Sequence, residues 1–367
     1  MKVCAQVIGW GECLPSQILT NDDLARRVDT SDEWIRTRTG IAARRIADSR
    51  DTTASMAIRA ARHALAVAGL PPQKLDLIIV ATITPEHLFP ATACLVQDAL
   101  GASHAGAFDL SAGCSGFVYA LSLAAQLIES GQQQNVLVIG SETLSRILDW
   151  QDRSTCVLFG DGAGAVVLQA APGEGGVLSS VLGADGSGAD ALIMPAGGAR
   201  QPASKATVEN GEHFLKMDGR EVYRFATRVL ARATREAVSK AGLEMDQINL
   251  LIPHQANARI IESARKDLGL SADKIYTNLQ RYGNTSAASI PIALCEAVAE
   301  GRVQPGDHIV LAGFGAGLTW AAAVLRWGTP IPPRGTLRVR RVTGWVSYGL
   351  AGIRSLGLRV LRKLGLW

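Results

Sequence analysis

Short apolar runs alternate with longer segments of helical periodicity in the first half of the chain. The runs LDLIIVATITP (75–85) and NVLVIGSE (135–142) are rich in β-branched residues, as is typical of buried strands. The segments TTASMAIRAARHALAVAGL (52–70) and GFVYALSLAAQLIESG (116–131) carry apolar residues at helical spacing. This alternation predicts an α/β fold built on a largely parallel, buried sheet.

The second half of the chain repeats this plan. Three of its segments have counterparts in the first half, namely INLLIPHQAN (248–257), NTSAASIPIALCEAVAEG (284–301) and DHIVLAGFG (307–315). In each half a stretch of small residues opens a helix, and Cys114 and Asn284 occupy matching places in these stretches. We therefore expect an internal duplication in which both helix N-termini lie near a common interface.

The duplication divides the chain into three parts. We expect an N-terminal half at 1–172, a C-terminal half at 173–327 and an extension at 328–367. The stretch 173–217 is rich in Gly, Ala and Ser, and we expect it to form strands and long loops that join the halves.

Composition excludes several classes of protein. Of the 367 residues, 47% are hydrophobic and 19% charged, which indicates a globular body. No apolar run reaches the roughly 18–20 residues that a membrane-spanning helix requires, and the N-terminus does not resemble a signal peptide. We therefore expect a cytoplasmic location. The six cysteines form no CxxC pair and no zinc-ligand spacing, so we expect no metal site and, in a reducing compartment, no disulfide framework.

The net charge of +4 hides an asymmetry. Residues 328–367 contain eight Arg and Lys and no Asp or Glu, so the rest of the chain carries a net charge of −4. A basic patch on a recognisable binding module is lacking in the sequence, and we expect no nucleic-acid partner.

Three residues are candidates for a shared reactive site. Cys114 opens a helix in the first half, His254 follows the apolar run LLIP, and Asn284 opens a helix in the second half. Each has a structural alternative: a packed thiol, a hydrogen-bonded histidine and a helix N-cap, respectively. Their repeat-related placement at strand ends and helix starts favours a common site.

The segments around these residues resemble a known family. AGCSGF, IPHQAN and YGNTSAASIP are similar, in order, to the three active-site motifs of β-ketoacyl-acyl carrier protein synthase III, a condensing enzyme of the thiolase fold. Further segments are similar to that family: TSDEWIRTRTGI (30–41), FGDGAGA (159–165) and GFGAGLTWAAAVLRW (313–327). The resemblance covers about residues 1–327. It implies an α/β, thiolase-like fold of two duplicated βαβαβαββ-type halves, packed as a layered αβαβα arrangement.

The resemblance also implies a reaction. A short acyl-CoA, expected to be acetyl-CoA, would condense with malonyl-acyl carrier protein with loss of CO2, and so initiate fatty acid synthesis. Cys114 would carry the acyl group, while His254 and Asn284 would donate hydrogen bonds to an enolate oxygen. We expect the positive end of the helix to lower the pKa of Cys114 from about 8.5.

An oxyanion hole for the acyl transfer is implied at two backbone N–H groups, those of Cys114 and Ala316. Ala316 stands where the family usually has glycine. The donor survives this change if the local φ suits alanine, whereas a positive φ would strain it.

The resemblance assigns substrate contacts to further residues. Those matching coenzyme A contacts are Trp34, Arg38, Arg153 and Asn257, and those matching contacts to the acidic carrier protein are Arg224, Arg259 and Lys266. Asp267 replaces a second basic residue that the family often has beside Lys266. Phe89 matches the residue that a dimer partner projects into the neighbouring acyl pocket, so a homodimer is expected. The resemblance implies no cofactor, because acyl-CoA is a substrate.

Other functions remain open at this level. A condensing enzyme or acyltransferase of a polyketide, quinolone or olefin pathway would use the same cysteine. A non-catalytic acyl-binding protein is disfavoured because Cys114, His254 and Asn284 are all present. A papain-like cysteine hydrolase is disfavoured by the duplicated plan and by the absence of that family's local cysteine signature.

The extension lies beyond the resemblance. Its Pro-rich TPIPPRG (329–335) predicts a linker, and 344–367 predicts an amphipathic helix. The apolar stripe of that helix comprises Val346, Leu350, Ile353, Val360, Leu364 and Trp367, and its cations Arg354, Arg359, Arg362 and Lys363 lie largely elsewhere. Two interpretations stay open. The helix docks peripherally on an anionic membrane or an acidic partner, or it packs on its own subunit.

Overall fold

The computed structural model describes residues 3–328 and 334–364, with residues 334–347 described by their backbone. The strands are β1 Val3–Cys13, β2 Gln17–Thr20, β3 Ala43–Ile46, β4 Leu77–Ala81, β5 Gly106–Leu110, β6 Asn135–Thr143, β7 Asp161–Pro172, β8 Gly176–Ala184, β9 Leu192–Ile193, β10 Lys216–Met217, β11 Leu250–Pro253, β12 His308–Gly315 and β13 Thr319–Arg326. The helices are α1 Asn21–Ala25, α2 Asp32–Thr39, α3 Thr53–Ala68, α4 Thr92–Leu100, α5 Gly116–Glu129, α6 Arg153–Cys156, α7 Lys205–Glu209, α8 Gly219–Lys240, α9 Ala258–Leu268, α10 Leu279–Tyr282, α11 Ser289–Ala299 and α12 Arg334–Lys363.

The first half forms a five-stranded sheet in the order β1-β7-β6-β4-β5. β4 pairs in parallel with β5 and β6, whereas β7 runs antiparallel to β6 and to β1. The strands predicted within 75–85 and 135–142 are confirmed as β4 and β6. The helices predicted within 52–70 and 116–131 are confirmed as α3 and α5.

The second half repeats this sheet with one strand reduced. Its order, β8-β13-β12-β11, corresponds strand by strand to β1-β7-β6-β4. Beside β11, where the first sheet has β5, the chain makes a single parallel bridge between Leu251 and Ile275. The predicted duplication of a βαβαβαββ unit is thus confirmed, and β8 at Gly176 opens the second sheet.

Two helices form the central layer of the molecule. α5 packs against strands of both sheets, and so does α11. α3 packs on the outer side of the first sheet with α4 beside it, and α8 packs on the outer side of the second sheet with α9 beside it. Burial of Phe117, Val118 and Ile290 between the sheets builds the core of this αβαβα arrangement. The N-terminal ends of α5 and α11 therefore lie between the two halves of the molecule.

The C-terminal helix α12 begins ten residues earlier than the predicted segment, at Arg334 rather than 344. It lies on α3 and α4, in the outer layer of the first sheet. The Arg62 guanidinium lies 4.5 Å from the Tyr348 ring centre, and the Ser355 hydroxyl donates to an Asp98 carboxylate oxygen at 2.7 Å. The face of α12 that carries Tyr348 and Ser355 therefore packs on its own subunit, as one of the two interpretations expected. The predicted side-chain roles of Val346 and Trp367 lie outside the described residues.

Candidate active site

One cavity brings Cys114, His254 and Asn284 together. It has a volume of about 1370 Å³, and all three residues line it. Cys114 comes from the first half of the chain and the other two from the second half. All three are buried. The juxtaposition on which the sequence-based hypothesis depends is therefore present in the structure.

A tight turn positions Cys114. The 3-10 turn Gly113–Ser115 follows β5 and leads directly into α5, so Cys114 lies two residues before the helix that it was expected to open. Gly113 has a φ of 55°, in the region that favours glycine. A Cβ on Gly315 would lie 2.3 Å from the Cys114 nitrogen, so only glycine allows β12 to approach this closely.

The backbone of Ala316 lies beside the same turn. A Cβ on Gly113 would lie 2.7 Å from the Ala316 nitrogen. The Thr319 hydroxyl lies 2.9 Å from the carbonyl oxygens of both Ala112 and Ala316, which ties the two backbone segments together. Ala316 is not among the residues with a positive φ. The replacement of glycine by alanine therefore imposes no backbone strain here.

His254 is held at the end of β11 by a hydrogen bond to its ring. Its Nδ1 lies 2.6 Å from the Ser289 hydroxyl, and its imidazole meets the Phe314 ring edge-on at 5.3 Å. The Ser289 hydroxyl oxygen also accepts from the Gln255 N–H at 3.4 Å. Burial lowers the pKa of His254 from 6.5 to about 3. The ring is therefore neutral at physiological pH.

Asn284 does not open a helix, contrary to expectation. α11 begins at Ser289, and the 3-10 turn Ser286–Ala288 lies between the two residues. Two backbone bonds from the first half of the chain fix Asn284: its N–H donates to the Leu158 carbonyl at 2.8 Å, and its carbonyl accepts from the Gly160 N–H at 3.0 Å. Its Oδ1 accepts from the Ser286 N–H at 2.8 Å. The carboxamide is thus anchored through its oxygen, which leaves its NH2 as the end able to donate elsewhere.

The expected low pKa of Cys114 is wrong for this buried site. Burial raises the pKa of the thiol from 9.0 to about 12, and the Glu142 carboxylate adds to the rise. The Ser286 hydroxyl, which hydrogen-bonds the sulfur, acts in the opposite direction. Desolvation of the thiolate therefore outweighs the favourable end of α5, and the resting residue is a thiol.

Glu142 is a buried carboxyl group near Cys114 that the sequence analysis did not identify. It accepts hydrogen bonds from the hydroxyls of Thr84 at 2.6 Å, Thr82 at 3.1 Å and Ser286 at 3.0 Å. Burial raises its pKa to about 7. Ser286 thus connects the carboxyl group to the thiol. The only signal in the sequence was an acidic residue at the end of an apolar strand.

Aromatic and cationic side chains line the outer part of the cavity. The guanidinium groups of Arg153 and Arg38 lie 5.0 and 5.9 Å from the centre of the Trp34 ring. Asn257 caps α9 through its Oδ1, and its Nδ2 donates to the Arg38 carbonyl at 3.2 Å. The four residues expected to contact coenzyme A therefore form one cluster on the cavity wall. A purine stacked between Trp34 and Arg153 would require this guanidinium to swing outward, because the two groups are already in contact.

Further cations surround the same opening. Arg224 and Arg259 line the cavity, and the Arg259 guanidinium lies 5.4 Å from the Tyr223 ring centre. Lys266 lies two helical turns beyond Arg259 on α9, outside the cavity lining, and pairs with Glu262 at 3.5 Å. Asp267 pairs with Arg235 at 2.7 Å.

Two cations of the cavity wall escaped the sequence analysis. Lys216 lies on β10 and Arg220 in the first turn of α8. Neither lies in a recognisable motif, so only the fold brings them to the cavity.

Phe89 lies away from these groups, in the loop between β4 and α4. It is 86% exposed, and the neighbouring Leu88 is 84% exposed. Phe108, on the edge strand β5, is also exposed. Large apolar side chains are thus presented to solvent next to an open sheet edge.

Comparison with known proteins identifies relatives over the body of the chain. The family model described as 3-oxoacyl-[acyl-carrier-protein] synthase III matches residues 108–186, and the model of its C-terminal part matches 238–327. A β-ketoacyl-[acyl-carrier-protein] synthase III of Caldanaerobacter subterraneus subsp. tengcongensis is 56% identical over 326 residues, which is 89% of this chain and 98% of the relative.

Solved structures agree with this result. The 3-oxoacyl-[acyl-carrier-protein] synthase III of Aquifex aeolicus is 49% identical with a TM-score of 0.82, and the match covers 88% of this chain and all of that one. A priming β-ketosynthase from a polyketide biosynthetic pathway is 38% identical with a TM-score of 0.83, covering 90% of this chain and 97% of that one.

Proposed function

Because the chain belongs to the β-ketoacyl-[acyl-carrier-protein] synthase III family, we propose that Cys114, His254 and Asn284 divide the condensing reaction of that family between the two halves of the molecule. The enzyme is an acyltransferase that initiates fatty acid synthesis. The observation that carries the assignment is that the three buried side chains line one cavity.

In the first step, the Cys114 sulfur attacks the thioester carbonyl of a short acyl-CoA, acetyl-CoA in our proposal. The carbon–sulfur bond to coenzyme A breaks, and the thiol proton of Cys114 ends on the coenzyme A sulfur. The backbone N–H groups of Cys114 and Ala316 stabilise the oxyanion formed during this transfer. The product is an acyl thioester on Cys114, which keeps the acyl group activated.

In the second step, the malonyl thioester of the carrier protein loses CO2 and leaves an enolate. The hydrogen bonds around His254 suit stabilisation of this enolate. The Ser289 hydroxyl accepts from the Gln255 N–H and donates its own proton to Nδ1 of His254. The proton of the neutral imidazole is therefore on Nε2. Nε2–H of His254 and the NH2 of Asn284 then donate to the enolate oxygen. One such donor contributes roughly 2.7–4 kcal/mol in other enzymes. The enolate carbon attacks the acyl thioester, and the released thiolate of Cys114 takes up a proton, as its raised pKa favours.

We also propose which residues bind the two substrates. Trp34, Arg38, Arg153 and Asn257 hold the nucleotide and pantetheine of coenzyme A, and Lys216 and Arg220 add charge for its phosphates. Arg224, Arg259 and Lys266 receive the acidic carrier protein. No cofactor takes part, and acyl-CoA is consumed as a substrate.

A homodimer and a cytoplasmic location complete the proposal. Leu88, Phe89 and Phe108 expose apolar surface beside the open edge of β5, as a partner subunit would cover. The six cysteines are free thiols, which is compatible with a reducing compartment.

Labelled malonyl-acyl carrier protein and a panel of acyl-CoA primers test the proposed reaction. We expect CO2 release and β-ketoacyl-carrier protein to form fastest with acetyl-CoA. A strong preference for a long or aromatic primer would instead favour the specialised-pathway alternative, which the 38% identical priming ketosynthase represents. Steady hydrolysis of acyl-CoA without condensation would contradict both.

A further inference from the structure

Between residues 348 and 364, the two faces of α12 are arranged opposite to those of an ordinary surface helix. Tyr348, Ala351, Ser355 and Arg359 contact the body, and these residues are small, polar or amphipathic. Six large apolar side chains between residues 348 and 364 point away from the body and are 39–70% exposed, whereas Leu358 is half-buried: the six are Leu350, Ile353, Leu356, Val360, Leu361 and Leu364. A helix stabilised only by its own subunit would bury the apolar stripe.

The exposed apolar residues form one continuous face. At about 100° per residue, they span an arc of about 140° on the side opposite Tyr348 and Ser355. Arg354 borders this arc on one side and Lys363 on the other. A contiguous apolar face between charged borders marks an interaction surface.

The charge pattern selects the partner. Residues 328–367 carry eight cations and no anion, so a second copy of the same helix would be repelled. An anionic lipid surface attracts the bordering cations and accepts the apolar arc into its acyl boundary. Among the described residues no helix is both long and apolar enough to cross a membrane. A helix with one apolar arc and a polar opposite face lies along a lipid surface.

We propose that α12 holds the enzyme on the surface of an anionic lipid bilayer through the apolar arc formed by Leu350, Ile353, Leu356, Val360, Leu361 and Leu364. Docking in this way is compatible with catalysis. α12 lies on the outer layer of the first sheet. The cavity opening is lined by residues of α2, α8 and α9, and α8 and α9 form the outer layer of the second sheet, on the opposite side of the molecule. The substrate entrance therefore stays open to water while the helix lies on lipid.

Vesicle co-sedimentation of the full chain tests this proposal. We expect the protein to pellet with phosphatidylglycerol-containing vesicles, to bind phosphatidylcholine vesicles far more weakly, and to be released as salt is raised. Ile353→Gln should lower the partition coefficient on the order of tenfold, because an isoleucine that the proposed contact buries in lipid is replaced by a polar side chain of good helix propensity.

Matched variants separate the helix from general effects. Ile18→Gln makes the same chemical change at an exposed isoleucine of β2, which belongs to the separate two-stranded β2-β3 sheet, and should pellet like the unaltered protein. The double variant Arg354→Glu/Lys363→Glu should lose roughly tenfold or more of its binding to anionic vesicles. Condensing activity with dissolved substrates should be unchanged in all of these variants, so failure of the lipid contact is distinguishable from failure of the proposed reaction.

Three results would overturn the proposal. The first is no pelleting of the unaltered protein with anionic vesicles. The second is equal pelleting of Ile353→Gln and the unaltered protein. The third is an assembly larger than a dimer, observed by analytical ultracentrifugation without lipid and dissolved by Ile353→Gln, because a second copy would then cover the face.

Discussion

The two halves of the molecule share one architecture and contribute different chemistry. The sheet order β1-β7-β6-β4 recurs as β8-β13-β12-β11, and a 3-10 turn precedes the central helix in each half. In the first half that turn carries the thiol of Cys114. In the second half the corresponding turn is Ser286–Ala288, and the amide of Asn284 lies just before it. Duplication thus places two helix starts at one cavity, where each can specialise.

The residues that follow the corresponding strands β4 and β11 also differ between the halves. β11 is followed by His254, whose ring lines the cavity. β4 is followed by Thr82, whose hydroxyl donates to Glu142. The first half therefore uses this position to hold a buried carboxyl group, whereas the second half places there the imidazole that we propose as a hydrogen-bond donor. In the proposed reaction the nucleophile comes from the first half and the enolate donors from the second half, so we expect that each can be disabled separately.

The largest expected effect is that of Cys114→Ala. Without the sulfur no acyl thioester can form, and condensation should fall about 10⁴-fold or more. Intact-mass analysis after incubation with acetyl-CoA should show an adduct on the unaltered protein and none on the variant. Cys94→Ala removes an exposed thiol and serves as the control, since its adduct should persist. An adduct that survives Cys114→Ala would place the nucleophile elsewhere.

The next effect concerns the protonation of the nucleophile. Because burial raises the pKa of Cys114 to about 12, the thiolate fraction should grow about tenfold for each pH unit below that value. Carbamidomethylation of Cys114 by iodoacetamide, followed by peptide mass spectrometry, should therefore accelerate by about 100-fold from pH 7 to pH 9. An alkylation rate that reaches a plateau between pH 7 and 8 would show instead that the positive end of α5 lowers the pKa of Cys114 by more than burial raises it.

A smaller effect is expected from Ser289→Ala. Loss of the 2.6 Å bond to Nδ1 frees the His254 ring to turn or change tautomer, and one hydrogen bond corresponds to about tenfold in rate. Decarboxylation should slow by about that factor, whereas acylation of Cys114 should not. Ser122→Ala is a matched control, because Ser122 is a buried serine whose hydroxyl lies 2.6 Å from that of Ser180. Equal slowing of both half-reactions would argue for a merely structural Ser289, and Ser289→Thr should restore most of the rate.

The smallest effect belongs to the carrier-protein surface. Lys266→Glu should raise the KM for malonyl-carrier protein about two- to fivefold at low salt, because rim charges act mainly on association. Lys240→Glu is the control: this lysine also pairs with a glutamate four residues earlier on its helix, but it lies at the far end of α8. Indistinguishable salt dependence for the two variants would remove Lys266 from the docking surface.

Periodicity and motifs predicted the elements that carry the two sheets, because buried strands and central helices have strong apolar patterns. The geometry inside the turns was not predictable in this way. Asn284 precedes its helix by five residues because a 3-10 turn with Ser286 at φ 49° intervenes, and no apolar periodicity reports such a turn.

Residues that act through another side chain were also missed. Ser289 is one small residue among several in NTSAAS, and its bond to His254 joins residues 35 positions apart. Glu142 gains its surroundings from Thr82 and Thr84 on another strand end. The pKa of Cys114 depends on how completely the two halves enclose it, which sequence alone does not express.

The central claim is that the two halves perform separable steps, and it is tested most directly by decarboxylation without a nucleophile. Cys114→Ala, given labelled malonyl-carrier protein and no acyl-CoA, should still release CO2 through His254 and Asn284. Asn284→Ala should release far less, while still forming the acetyl adduct on Cys114. Loss of CO2 release from Cys114→Ala, with its fold intact by circular dichroism, would contradict the division of labour between the halves.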